Sequence, residues 1–205
     1  MTLLALRALA VVLLLSWPCF ALPPAVARKM VLAARSVLGT PYQFGGRLRP
    51  GATGIDCQGV VFFAAEAIGR CGWKSFAVNP TETVLRRELG VPVKGLAPVR
   101  SDQLDIGKLQ MGDVLMLVAP DRNPLEGPIG QLDGGDVWVW HVGVYSGNGK
   151  WIVGDHFAGR AIETHLAAYL TEHARTYRGV FVTRMEKGPA PARCRRHPPM
   201  GEPPR

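Results

Sequence analysis

A cysteine stands where a glycine-rich loop gives way to an apolar segment. Residues 51–54 (Gly-Ala-Thr-Gly) cannot hold regular structure, whereas residues 58–68 are alanine-rich and apolar and predict a buried helix. Cys57 then falls in the first helical turn, and Asp56 is a good N-cap. Free backbone N–H groups and the helix dipole favour an anion there, so the pattern predicts a lowered thiol pKa and a nucleophile. A buried structural cysteine is the alternative interpretation of this stretch alone.

Two more segments carry recognisable patterns. Residues 39–46 are Gly-Thr-Pro-Tyr-Gln-Phe-Gly-Gly, and residues 140–150 are Trp-His-Val-Gly-Val-Tyr-Ser-Gly-Asn-Gly-Lys. With the Asp-Cys-Gln-Gly run at 56–59, they resemble in order the three signatures of the NlpC-type cysteine peptidases, over roughly residues 29–185. The resemblance implies an α+β, papain-like fold, in which an antiparallel sheet packs against an N-terminal helical part that carries the nucleophile.

The resemblance also implies a chemistry. Cys57 would attack an amide carbonyl, His141 would take and return the proton, and no cofactor would be needed. The Tyr42 hydroxyl would contact substrate or the developing oxyanion, and Asp56 and Gln58 are further candidates for such contacts. The implied substrate is a peptidoglycan stem peptide, cut near the D-glutamyl–diaminopimelate bond. A thiol acyltransferase or hydrolase acting on a non-wall amide or ester, and a non-catalytic wall-binding module, are the alternatives.

The histidine motif predicts a hairpin. Residues 137–145 are β-rich, and residues 146–149 form a strong turn signal before a second apolar strand. The two-residue period of a strand places Val139, His141, Gly143 and Tyr145 on one face. His141 would then project from a rigid strand, with open space for a substrate beside Gly143.

The third catalytic residue departs from the pattern that the resemblance implies. In NlpC-type peptidases a polar residue about 12 positions after the histidine holds the imidazole, but here that position is Val153. Asp155 keeps the strand parity, and His156 is the residue type often used but would need a bulge. Both alternatives stay open. A zinc site built from these two residues with Cys57 and His141 is conceivable, but the tight ligand spacings of structural zinc are absent, so no metal is predicted.

The two ends of the sequence predict an exported protein. Residues 1–27 have an arginine before an apolar run of signal-peptide length, and cleavage could follow either Cys19-Phe20-Ala21 or Ala25-Val26-Ala27. Lipidation at Cys19 and an uncleaved anchor are the alternatives. Residues 28–186 would form one peptidase domain in the periplasm or cell envelope, as a monomer with no stable membrane span after cleavage. Residues 187–205 would form a flexible, basic, proline-rich tail.

Charge and cysteine content limit the partners. The formal net charge is +8, and about half of the excess lies in the tail, which could bind acidic wall polymer or lipid headgroups or could simply be solvated. The remaining domain is only mildly basic and has no nucleic-acid motif, so no nucleic-acid partner is predicted. Export permits a disulfide between Cys71 and Cys194, but both could equally be free thiols.

Several other segments carry weaker predictions. Helices are expected over residues 28–38, with Met30, Ala34, Val37 and Leu38 on one face, from Asn79 to Leu89, and over residues 163–174. His165 and His173 would lie at the surface. Arg47 and Arg49 would either pair with a substrate carboxylate or be solvated. Residues 120–135 would form either a substrate-shaping lid or an irregular loop without a role.

Overall fold

The computed structural model describes residues 22–47, 53–70 and 79–186. This part of the chain contains four α-helices and eight β-strands, in the α+β arrangement that was predicted. The helices are α1 (Pro24–Arg35), α2 (Cys57–Ala67), α3 (Pro80–Leu85) and α4 (Leu166–Glu172). The strands are β1 (Val91–Pro92), β2 (Val99–Arg100), β3 (Val114–Ala119), β4 (Gly130–Leu132), β5 (Gly135–Gly147), β6 (Lys150–Asp155), β7 (Arg160–His165) and β8 (Gly179–Arg184).

One antiparallel sheet organises the chain. Its strands follow the order β1-β8-β3-β5-β6-β7, with β2 paired to β8 and β4 paired to β5. Strand β3 is buried on both faces, because its side chains alternate between two cores. Val114, Met116 and Val118 share a core with α1 and α2, whereas Leu115 and Leu117 share the opposite core with α4. The sheet therefore separates the helix that carries Cys57 from α4.

Helix α1 begins earlier than its sequence pattern predicted. Pro24 occupies its first turn, where the missing N–H costs no hydrogen bond, and its buried face includes Ala27, Met30 and Ala34. Leu38 lies beyond the helix and is 39% exposed, so the prediction that it shares a helical face with Met30 and Ala34 is wrong. Cleavage after residue 21 would leave α1 whole, whereas cleavage after Ala27 would remove its first turn. The signal peptide itself stays a prediction.

Two other helix predictions are partly wrong. The predicted N-cap of α3 is confirmed, since the Asn79 side chain accepts a hydrogen bond from the Glu82 N–H at 2.8 Å, but the helix ends at Leu85. The first residues of the expected helix at 163–174 belong instead to β7. Pairing along the whole length of β6 holds these residues extended, and α4 begins only where that pairing ends.

The segment at residues 120–135 is anchored. Strand β4 pairs with the start of β5 through a tight turn, and the Asn123 side-chain amide donates a hydrogen bond to the Val139 carbonyl at 3.1 Å. The Glu126 carboxylate accepts a hydrogen bond from the Thr81 N–H of α3 at 2.9 Å. The segment thus links α3 to the strand that carries His141, and a role in shaping the substrate site stays a prediction.

Several predictions fall on residues that the structure does not describe. Cys71, Cys194, Arg49, most of the signal sequence and the tail from residue 187 lie outside the described ranges. Within those ranges, no helix has the length and apolar character that crossing a membrane requires.

Candidate active site

The nucleophile candidate occupies the position that the sequence predicted, at the first residue of α2. The Asp56 side chain caps this helix by accepting a hydrogen bond from the Gly59 N–H at 2.7 Å. The same carboxylate accepts a hydrogen bond from the Gly45 N–H at 3.0 Å and pairs with Arg47. Asp56 is buried, so it joins the start of α2 to the preceding loop.

Arg47 lies inside the protein rather than in solvent. Only 11% of its side chain is exposed, and it donates a hydrogen bond to the Gln58 side-chain oxygen at 2.6 Å besides pairing with Asp56. The solvated interpretation of Arg47 is therefore wrong. The partners of Asp56 and Gln58 give both side chains a structural role, and contact of either with substrate stays a prediction.

Strands β5 and β6 part where Cys57 meets the sheet. Their ladder runs from the Gly147–Lys150 pair to the Val144–Ile152 pair. Past this point the backbone N–H of Val142 lies near the Cys57 sulfur, and the backbone of Asp56 and Cys57 lies against Gly154 of β6. A Cβ atom on Gly154 would lie 2.6 Å from the Asp56 carbonyl carbon and 2.9 Å from the Cys57 nitrogen. The position of the nucleophile therefore depends on a residue without a side chain on β6.

The Gly154→Ala substitution is expected to displace the nucleophile. The added methyl group meets backbone atoms that cannot rotate away, so we expect a loss of about 1–3 kcal/mol in unfolding free energy. A backbone shift of about 1 Å at a reacting group typically lowers kcat by about 10²-fold. Thermal unfolding measures the first effect, and the rate of the amide hydrolysis that the motifs predict measures the second. The matched control is Gly127→Ala, where the new Cβ has no heavy atom within 4 Å. Equal behaviour of the two variants would contradict the expectation.

A β-bulge sets the direction of the His141 side chain. In the pairing of β3 with β5, Leu117 lies opposite His141 but Val118 lies opposite Val139, so Trp140 is an extra residue. Val139 therefore packs in the core beside α2, while His141 shares the opposite face with Leu117. The prediction that Val139 and His141 share one face is wrong, because the bulge breaks the two-residue period. The Trp140 indole N–H donates a hydrogen bond to the Asp121 carbonyl at 2.9 Å.

Aromatic rings surround the His141 imidazole, which is 1% exposed. The Tyr177 ring is stacked on it at a centroid distance of 5.9 Å, the Tyr169 ring is stacked at 6.2 Å, and the Trp151 ring meets it edge-on at 5.9 Å. Within the described part of the chain, its buried Nε2 atom has no hydrogen-bond partner. Burial, with smaller contributions from the charges of His156 and His173, lowers the pKa of His141 to about 3. The imidazole is therefore a neutral base.

Gly143 does not leave open space for a substrate. A Cβ atom there would lie 2.5 Å from a ring carbon of Trp151 and 2.6 Å from the Ile152 carbonyl oxygen. The expectation of a substrate space is wrong, because the indole of the neighbouring strand already fills it. Gly143 instead lets the Trp151 ring approach β5 closely and form one wall of the His141 pocket.

Both candidates for the third catalytic residue lie beside His141. Asp155 is the last residue of β6, is 3% exposed and, by strand parity, lies on the His141 side of the sheet. Its carboxylate accepts a hydrogen bond from the Phe157 N–H at 2.9 Å. His156 is exposed in the following turn, and its ring lies 5.7 Å from the His141 ring. One side-chain ligand atom from each of the three residues lies within 4.8 Å of the others.

Burial raises the pKa of the Cys57 thiol, which contradicts the lowered pKa predicted from its helix position. Hydrogen bonds from backbone N–H groups, including that of Val142, and the Arg47 charge act in the opposite direction, but desolvation is the largest effect. A helix N-terminus stabilises an anion by up to about 2 kcal/mol. Desolvation of the thiolate therefore outweighs the stabilisation that the helix N-terminus supplies. The site therefore holds a thiol and a neutral imidazole.

Tyr42 lies near Cys57, close enough for the charge of the thiolate to act on its hydroxyl. Its backbone N–H donates a hydrogen bond to the Gly159 carbonyl at 2.8 Å, and its half-buried ring lies 6.0 Å from the ring of His156. Burial, followed by the charge of Cys57, raises the pKa of the Tyr42 hydroxyl to about 12. The hydroxyl therefore keeps its proton and can donate a hydrogen bond.

No sequence pattern assigned four residues of this site to it. They are Trp151, Tyr169, His173 and Tyr177. The expectation that His173 is a surface residue is wrong, since its half-buried ring lies 4.4 Å from the rings of both Tyr169 and Phe157, whereas His165 is exposed as predicted. The parity of β6 could have placed Trp151 on the His141 face. No local pattern places Tyr169, His173 or Tyr177 beside His141.

Comparison with known proteins identifies the fold. No family model matches the sequence, and no curated protein matches it either. Among solved structures, NlpC1 from Trichomonas vaginalis has a TM-score of 0.52 at 16% identity, covering 84% of this chain and 49% of its own. The peptidoglycan hydrolase RipB from Mycobacterium tuberculosis has a TM-score of 0.50 at 21% identity, covering 82% of this chain and 70% of its own.

A lipoprotein-like protein of the NLP/P60 family from Staphylococcus aureus has a TM-score of 0.54 at 14% identity, covering 88% of this chain and 48% of its own. The chain thus spans about half the length of the Trichomonas and Staphylococcus proteins. The chain has the papain-like α+β fold of these NlpC/P60 structures, as its three motifs predicted. At this level of identity the likeness concerns the fold.

Proposed function

We propose that this protein is a cysteine peptidase that hydrolyses amide bonds in peptidoglycan stem peptides. The observation that carries the proposal is the convergence of the three sequence motifs. The thiol of Cys57 lies near the backbone N–H of Val142, the neighbour of the buried base His141, and the Tyr42 hydroxyl lies near the same thiol. The fold is shared with a protein described as a peptidoglycan hydrolase, which supports the substrate class.

The protonation states of the site define the first chemical step. Because the thiol and the imidazole are both neutral, His141 acts as a general base that removes the thiol proton as Cys57 attacks the carbonyl carbon. The tetrahedral intermediate places negative charge on the former carbonyl oxygen. The backbone N–H of Cys57 and the Tyr42 hydroxyl are the donors proposed for this oxyanion. His141 then returns the proton to the leaving amine, and a water molecule hydrolyses the thioester.

Asp155 is the residue proposed to orient His141. It is buried on the same face of the sheet, and a carboxylate stabilises the imidazolium that forms during the reaction. His156 is exposed, which favours contact with substrate. The Asp155 carboxylate would stabilise a charged His141 only during catalysis, because the resting imidazole is neutral.

The proposed site distinguishes Asp155→Asn from His156→Gln. Asparagine keeps the size of the side chain but loses the charge that stabilises the imidazolium, so we expect kcat to fall by about 10²-fold or more with little change in KM. His156→Gln is expected to alter KM more than kcat. Steady-state kinetics on a defined muropeptide separate the two parameters, and thermal unfolding reports folding. A larger fall in kcat for His156→Gln would transfer the orienting role to His156.

The specific bond and the setting belong to the same proposal. The D-glutamyl–diaminopimelate bond is the proposed cleavage point, and residues 1–27 are the proposed export signal that delivers a monomer to the periplasm or cell envelope. The basic tail from residue 187 would hold the enzyme near acidic wall polymer.

Digestion of purified peptidoglycan and defined muropeptides tests the function directly. Mass spectrometry of the products names the bond that is cut. We expect new stem-peptide fragments with the native protein and none with the Cys57→Ala variant. If neither protein releases fragments while Cys57 is readily alkylated, the peptidase proposal fails and acyl transfer to a non-wall substrate takes its place.

A further inference from the structure

Three side chains beside the nucleophile form a ligand set for a divalent metal ion. One ligand atom from each of His141, Asp155 and His156 lies within 4.8 Å of the other two. In a tetrahedral zinc site with bonds of about 2.0–2.1 Å, ligand atoms lie roughly 3.4 Å apart. His156 is exposed in the turn after β6, so its side chain can move to complete such a site, while His141 and Asp155 are held by buried strands.

The buried imidazole of His141 supports a bound cation independently of the distances between the ligand atoms. The Nε2 atom of His141 is buried and has no hydrogen-bond partner among the described residues. A buried polar atom without a partner is costly, and a bound metal ion is one ligand that can satisfy an imidazole nitrogen. The rings of Trp151, Tyr169 and Tyr177 lie around His141, and such a shell controls the access of solvent to a metal site.

We propose that His141, Asp155 and His156 bind one Zn²⁺ ion, and that this ion inhibits the enzyme. Two imidazoles and one carboxylate suit zinc, and three protein ligands leave a fourth position open. An ion on His141 occupies the lone pair that would accept the Cys57 proton. The bound ion is an inhibitor rather than a cofactor, because the proposed hydrolysis needs the imidazole free. Binding does not depend on the proposed function, and only the inhibition rests on it.

Calorimetric titration of the full-length Cys57→Ala variant with ZnCl₂ tests the binding. This background removes the nucleophile as a ligand, so the signal reports the other three side chains. We expect saturable binding of one ion per chain. His156→Ala and Asp155→Asn, each added to this background, should weaken the affinity by at least about tenfold. His165→Ala is the matched control, because this exposed histidine lies at the far end of β7 and should leave the affinity unchanged.

Spectra of bound Co²⁺ provide a second measurement. Cobalt in a four- or five-coordinate protein site absorbs more strongly in the visible range than hydrated cobalt, and His156→Ala should reduce this absorption. The proposal is overturned if no saturable zinc binding occurs below about 1 mM. It is equally overturned if His156→Ala and Asp155→Asn bind zinc as tightly as the parent, since other thiols or imidazoles would then hold the ion.

Inhibition is measured on the enzyme with its native cysteine. Zinc should stop the release of muropeptide fragments, and a chelator should restore it. The half-inhibitory zinc concentration should rise in His156→Ala by the same factor as the dissociation constant. Unchanged hydrolysis at saturating zinc would overturn the inhibitory role. If the protein binds zinc but never releases fragments, the proposed zinc site is supported. The proposed peptidase function is then rejected.

Discussion

Replacing Cys57 with alanine is expected to reduce peptidoglycan hydrolysis to the background rate. The substitution removes the sulfur that forms the acyl-enzyme, and loss of a nucleophile from a catalytic triad typically lowers kcat by about 10⁴–10⁶-fold. The fold should survive, because the Asp56 cap, its bond to Gly45 and its pair with Arg47 do not involve the thiol. Release of muropeptide fragments measures the rate, and thermal unfolding measures stability.

Cys57→Ser is the matched variant for this prediction. It keeps a nucleophilic atom at the start of α2 but replaces the thiol with a much less acidic hydroxyl. We expect it to be nearly as inactive as the alanine variant, because His141 would have to deprotonate a far weaker acid. Hydrolysis by Cys57→Ala at the native rate would exclude a thiol mechanism altogether.

The His141→Gln substitution is expected to have the second largest effect. A general base typically contributes about 10²–10⁴-fold to a rate, and the upper end applies here because burial keeps the Cys57 thiol protonated. Glutamine can fill much of the imidazole space but cannot accept a proton at neutral pH. The fall should appear in kcat, and alkylation of Cys57 by iodoacetamide at neutral pH should slow as well.

The control for His141→Gln is the same change at His165, which is exposed at the end of β7. That variant should hydrolyse muropeptides and react with iodoacetamide at the native rates. A slow alkylation of Cys57 in both variants would indicate a general effect on the fold. Native alkylation and hydrolysis rates in His141→Gln would remove His141 from the mechanism.

Local interactions explain why part of the site was predictable. A cap such as Asp56 and the apolar helix behind it act within a few residues of each other, so their pattern appears directly in the sequence. The same holds for the turn at 147–149, where all three residues have positive φ and the sequence is Gly-Asn-Gly. These short-range features locate Cys57 at a helix start and His141 on the strand of a hairpin.

Long-range contacts explain what the sequence pattern got wrong. The bulge at Trp140 arises from the pairing of β5 with β3, and it places Val139 and His141 on opposite faces. The space beside Gly143 is filled by Trp151 of the next strand. Tyr169 of α4 and Tyr177, which lies between α4 and β8, join the same core only when this part of the chain packs on the sheet. No periodic spacing in the sequence links these neighbours to His141.

Short-range backbone preferences are enough to identify the residues proposed for the chemistry: a capped cysteine, a strand histidine and a tyrosine loop. The electrostatic state and the partners of these residues depend on the packing of the whole domain. Burial between α2 and the sheet keeps the Cys57 thiol protonated, and the aromatic pocket keeps His141 neutral. The packing also brings Asp155 and His156 to the same imidazole. Desolvation depends on every surrounding element at once, which is why a local motif could not predict it.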